Sequence, residues 1–227
     1  MAVERIGGLC MLAFVPLLAL GVVLYGRVGI NSQTDGLTAV KRIADAGAMF
    51  PIMNALFHLG ALFLLPGAAA LVIALRGARS DPWLVVATLF AVLAVAVGAG
   101  LVFALNQGLY GVAKSFAAAV PEQQQAYAVA ADMNLRTQAV AELVQSVSLG
   151  LWVLGVAIAM STVDWPSWTV LLGIAGGIGF VVAGLSSVLY GVPVIGPVLG
   201  AGGALGLLLF VIWQLAVGFR LVTLPAG

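Results

Sequence analysis

Apolar runs of about 20 residues recur along the chain, and six of them are long enough to cross a ~30 Å hydrocarbon core as helices. They fall at about 6–25, 51–75, 83–105, 139–160, 167–190 and 196–219. Two connections are long, 26–50 and 106–138. Three are short, 76–82, 161–166 and 191–195. The pattern predicts an all-α polytopic membrane protein, with residues 1–227 as a single transmembrane domain. The first run carries Arg5 and no small-residue cleavage pattern after it, so it is expected to remain as a helix rather than to be removed as a signal.

The tripeptide LYG closes the first, third and fifth runs, at Leu24-Tyr25-Gly26, Leu109-Tyr110-Gly111 and Leu189-Tyr190-Gly191. Tyr suits the headgroup layer, and Gly permits the left-handed turn that commonly ends a helix. We therefore expect LYG to be a helix-exit device on one membrane face. A second echo places Asp45 13 residues before His58, and Asp132 13 residues before Gln145. Together the echoes predict six helices arranged as three related hairpins.

The long connections read as helical. Leu37, Val40 and Ala44 share one face, with Lys41 and Asp45 four apart on another. Pro121 suits a helix start, and Asp132 and Arg136 are again four apart. Both segments are expected to lie along the interface and to feed into the next span. Gly173/Gly177, Gly196/Gly200 and Gly202/Gly206 have the spacing that lets the fifth and sixth helices approach closely.

Composition narrows the class further. Hydrophobic residues make up 63% of the chain and charged residues 7%, against roughly a quarter charged in soluble domains. The net charge is +1, without a basic patch, which argues against a nucleic-acid partner. Cys10 is the one cysteine, so no intrachain disulfide forms. Trp83, Trp165, Trp168 and Trp213 are expected on the short-loop face, and Tyr25, Tyr110 and Tyr190 on the other. Basic residues divide almost evenly between the faces. Arg76 and Arg79 sit in a loop short enough for the positive-inside rule to act, so the termini are placed in the cytoplasm.

Polar side chains within the runs are unevenly distributed. Asn54, His58, Asn106, Gln107, Glu142, Gln145, Ser146, Ser148, Ser186 and Ser187 gather near the long-loop face. Thr88 and Gln214 are expected at the edge of the opposite face. Asn54 and His58 are one helical turn apart, and Gln138, Glu142 and Gln145 form an i, i+4, i+7 stripe. A carboxylate at the bilayer centre costs ~3 kcal/mol on insertion scales, and Glu142 is nearer a surface. We expect a polar pocket for a ligand, walled by the second to fifth helices and closed below by apolar packing, formed by His58, Asn54, Asn106, Gln107, Glu142, Gln145 and Ser186, with His58 and Glu142 facing the bundle interior. Each member also has a structural reading. A lone His serves as a packing residue, Glu142 can sit at headgroup level, Asn106 and Gln107 can satisfy a helix end, and serines can bond their own helix. One histidine excludes bis-histidine haem. No cofactor or metal site is expected.

The stretch DAGAMFPIMNALFHLGALFLLPGAAALVIALR, the polar loop before it and the short RGARSDPW turn resemble an uncharacterised bacterial family of six-helix membrane proteins, known only as a domain of unknown function. The resemblance implies a bacterial cytoplasmic membrane location and assigns no functional residue. Three functions fit the sequence. The first is a non-enzymatic accessory subunit or receptor whose pocket holds a small amphiphile or membrane lipid, alone or beside a partner membrane subunit or a second copy. The second is a small-molecule or ion transporter. The third is an intramembrane enzyme with Glu142 and His58 as acid and base. The first is favoured, because one-sided polarity over an apolar floor suits binding better than conduction, and no nucleophile accompanies the two ionisable groups.

Overall fold

A computed structural model describes residues 3–31, 34–76, 78, 81–189 and 192–224, with backbone only for Asp81. Six of its helices are long and apolar enough to cross a membrane: α1 (Val3–Val28), α3 (Met49–Ala74), α4 (Pro82–Ala118), α5 (Pro121–Met160), α6 (Ser167–Leu189) and α7 (Ile195–Thr223). The short α2 (Gly36–Ala46) is strongly amphipathic and lies in the first long connection. This is a multi-pass, membrane-type bundle. Leu89, Leu171, Val198 and Phe219 point outward and are each more than 60% exposed, which suits a surface solvated by lipid rather than water.

The six apolar helices form a ring in chain order. Each packs on the next, and α7 closes the ring against α1. Neighbours run antiparallel, with early residues of one helix against late residues of the other at Gly7 and Ala70, His58 and Asn106, Ala87 and Gly155, Gly173 and Ala157, Gly173 and Trp213, and Gly8 and Gly218. Every consecutive pair touches, so the ring by itself does not sort the helices into three hairpins.

Glycine sets the close crossing of α6 and α7. A Cβ on Gly179 would collide with the Gly206 backbone, so α6 and α7 meet main chain to main chain. Without water to drive apolar burial, such dispersion contacts carry much of helix association in lipid. The expected ridges differ in detail. Gly177 turns to Gly150 of α5, Gly202 and Gly203 meet Val182 and Ala183, and a Cβ on Gly200 would touch nothing within 4 Å.

Several expectations need correction. LYG does not end α1 or α4. Helix α1 runs on to Val28 and stops at Gly29, whose φ of +66° is left-handed and whose N–H bonds the Tyr25 carbonyl at 2.9 Å. Helix α4 continues past Gly111 to Ala118. The third copy reaches Tyr190 and Gly191, which lie outside the described residues, as does Arg79. The connection 106–138 is helical and feeds into the next span as expected, but it is not a separate helix. Instead α4 and α5 both extend through it and are joined at Ala119 and Val120, where Pro121 opens α5.

The buried stripe of α2 is Gly36, Ala39, Val40 and Ile43, with Leu37 at 41% exposure, so the apolar face is rotated from the one expected. Trp83 and Trp168 are exposed as a membrane-edge belt would be. Trp213 is fully buried in an edge-to-face pair with Trp152, centroids 5.9 Å apart. Gln214 is likewise fully buried, and neither polar atom of its amide has a hydrogen-bond partner. The hydropathy pattern locates a residue along a helix, not around it, so these rotations depended on neighbours.

Candidate ligand-binding cavity

Inside the ring lies a cavity of about 470 Å³ with walls from all six apolar helices, so α1 and α7 join the four expected, because the closed ring turns both inward; the volume is within the range of ~300–1,000 Å³ typical of small-ligand sites. Two local irregularities shape it. Pro66 has no N–H for the Leu62 carbonyl and its ring crowds that oxygen. Just upstream, α3 tightens into a 3-10 turn over Leu59–Phe63, immediately after His58. Opposite, α4 widens into a π-turn over Ala96–Val102. Gln145 of α5 fills the space at Gly98, where a Cβ would come 2.8 Å from the Gln145 Cδ. Such π-turns often mark functional sites.

One wall carries a buried polar knot. The Tyr25 hydroxyl donates to Asn54 Oδ1 at 2.5 Å, lies 3.2 Å from His58 Nε2, and accepts from Asn106 Nδ2 at 3.3 Å. Asn106 Nδ2 is also 3.3 Å from His58 Nε2. Three helices, α1, α3 and α4, are thereby tied at one hydroxyl. Phe57 supports the knot, with its ring centroid 5.4 Å from that of Tyr25 and 5.0 Å from that of His58. Asn54 Nδ2, His58 Nδ1 and Asn106 Oδ1 remain buried without a hydrogen-bond partner.

Helix α5 supplies the facing wall. Gln138 Nε2 donates to Glu142 Oε1 at 2.8 Å, and Gln138 Oε1 is buried with no partner. Glu142 is the only Asp, Glu, Lys or Arg among the described residues that line the cavity. From α6, Ser186 donates to the Ala183 carbonyl at 2.7 Å, while Ser187 bonds both Gly184 at 2.7 Å and, across the helix boundary, Ala139 of α5 at 3.1 Å.

The two ends differ in chemistry. Towards the short-loop face, Phe14, Leu64, Phe180 and Phe210 line the cavity, backed by a fully buried cluster around Trp152 and Trp213. Towards the long-loop face, Ile30 and Asn31 reach the cavity. A second apolar cluster there joins α2 to the extensions of α4 and α5 through Val40, Ile43, Leu109, Ala113 and Leu135. The cap is pinned at the start of α2. Asp35 accepts from the Thr38 N–H at 2.9 Å, and Gly36 N donates to Asp132 Oδ1 at 3.3 Å. That Thr38 N–H holds the exposed Asp35 carboxyl below its ordinary pKa. Asp132 also pairs with Arg136 at 3.1 Å.

His58, Glu142, Gln145 and Ser186 all line the cavity, so His58 and Glu142 face the interior. Asn54 and Asn106 are buried one layer behind the wall and reach it through His58 and Tyr25. Gln107 is half-buried and is not part of the wall; about 100° of helical rotation separates it from Asn106. Tyr25, read from sequence as a headgroup anchor, is the hub of the knot. No sequence signal separated it from Tyr110, because both precede Gly at the end of an apolar run. Among the described residues, no three His, Cys, Asp or Glu side chains gather as a metal centre would require. Compared with protein-family models, curated proteins and solved structures, the chain matches none.

Proposed function

We propose that this chain is a non-enzymatic membrane protein, an accessory subunit or receptor, whose central cavity holds a small amphiphile or lipid with its polar end towards the long-loop face. One observation carries the reading: a single cavity touched by all six apolar helices is polar at one end and hydrocarbon-like at the other. That gradient matches a molecule with a head and a tail. The location in this reading is a bacterial cytoplasmic membrane with cytoplasmic termini, supported by Arg76 in the short loop between α3 and α4. The three-hairpin grouping and kinship with the six-helix family belong to the same reading, supported by the recurrent LYG and by the chain's layout.

The test is a cavity-filling variant. Gly200 lines the cavity and has open space at its Cβ, so Gly200→Phe places a ring there. Native mass spectrometry of the wild-type protein from gentle nanodiscs should show a retained amphiphile that the variant loses. Equal occupancy in both would refute the proposal.

Transport keeps one foothold, the buried and unpartnered Gln214 amide towards the short-loop end. Proteoliposome flux that Gln214→Leu abolishes would favour it.

A further inference from the structure

We infer that the head group taken by this cavity is an amine carrying N–H donors, so that the ligand is a cationic amphiphile rather than an anionic lipid. The inference rests on the binding reading above and adds the sign and hydrogen-bonding character of the head. Its basis is the juxtaposition of two acceptors on successive turns of α5. Glu142 contributes the one formally charged side chain of the described wall, and it is negative. Gln138 is 5% exposed and has already given its amide N–H to Glu142, leaving its Oε1 buried with no donor.

A buried acceptor without a donor loses its hydration for nothing in return, so the Gln138 amide oxygen calls for a donor from the ligand. An ammonium group suits both side chains: its charge opposes the carboxylate, and its N–H groups are the donors an amide oxygen takes. A carboxylate or phosphate head would meet Glu142 with like charge, and no Lys or Arg in the described wall would offset it. The Tyr25 and Phe57 rings also line the cavity, and aromatic faces attract cations. The tail then lies against Phe180, Phe210 and Leu64.

The test uses the full chain in phosphatidylcholine nanodiscs, with empty discs subtracted. Binding of radiolabelled dodecylamine is measured by scintillation proximity, with dodecanol and dodecanoate as competitors of equal chain length. Dodecylamine should bind, dodecanol should compete at least tenfold more weakly, and dodecanoate more weakly still. Glu142→Gln should weaken amine binding about tenfold and Gln138→Leu several-fold. Glu122→Gln, on the exposed first turn of α5, should change nothing and controls for surface charge. Circular dichroism and elution volume check that each variant is folded.

Equal competition by dodecanol or dodecanoate, or unchanged amine binding in Glu142→Gln, would overturn the amine assignment. If dodecanol or dodecanoate binds and Gly200→Phe blocks it while the amine does not bind, the amine assignment fails and the amphiphile cavity stands. If none of the three binds above empty discs, both fail.

Discussion

Tyr25→Phe removes one oxygen and leaves the ring contacts with Phe57 and His58 in place. The lost hydroxyl donates to Asn54 and accepts from Asn106 while lying beside His58 Nε2. Measured polar contacts between membrane helices average ~0.6 kcal/mol each, so the two hydrogen bonds account for about 1.2 kcal/mol. Asn54 is fully buried, and its stranded Oδ1 adds a desolvation cost of roughly 1 kcal/mol. The expected loss is thus about 2 kcal/mol, or about 30-fold in the unfolding equilibrium constant. The assay is reversible unfolding in mixed micelles, read by circular dichroism, on wild type, Tyr25→Phe, Asn54→Leu and the double variant. The cycle should return a coupling of about 1 kcal/mol, since the second change removes what the first strands. A loss below about 0.5 kcal/mol with coupling near zero would mean that the knot does not hold α1 to α3, and would remove the account of Tyr25 given above.

Gly206→Val should destabilise by about 2–3 kcal/mol through collision with the Gly179 backbone, while Gly200→Ala should be neutral; thermal unfolding of the pair separates a packing glycine from one that only shares its spacing. Gly98→Ala should cost roughly 1 kcal/mol by displacing Gln145, and that cost should vanish in a Gln145→Ala background, as measured by the same micelle unfolding. The Asp35 carboxyl has its pKa lowered in the folded protein, so the ionised form is favoured by folding. Its contribution is present above the unfolded carboxylate range and is lost as pH falls through the folded value. Amide exchange over residues 36–46, corrected for intrinsic rates, should therefore lose protection on acidification in wild type, and Asp35→Ala should show reduced protection at neutral pH with no further acid-dependent loss through this group.

Hydropathy by itself determined the six spans, because a helix crossing lipid must be apolar over its full length whatever its neighbours are. It also located the polar residues at one end, since depth along a helix follows directly from sequence position. What surrounds a residue is another matter. Tyr25 and Tyr110 share a tripeptide, yet only Tyr25 meets Asn54, His58 and Asn106, because α1 enters the ring between α3 and α7. Trp213 and Trp168 read alike as residues of the short-loop face, yet one is buried against Trp152 and the other is exposed. The end of α1 lies beyond the tripeptide for a related reason: glycine permits a left-handed turn at either Gly26 or Gly29, and the assembled chain turns at Gly29. Rotation about the helix axis costs almost nothing in a uniformly apolar segment, so packing decided which side chains share the cavity.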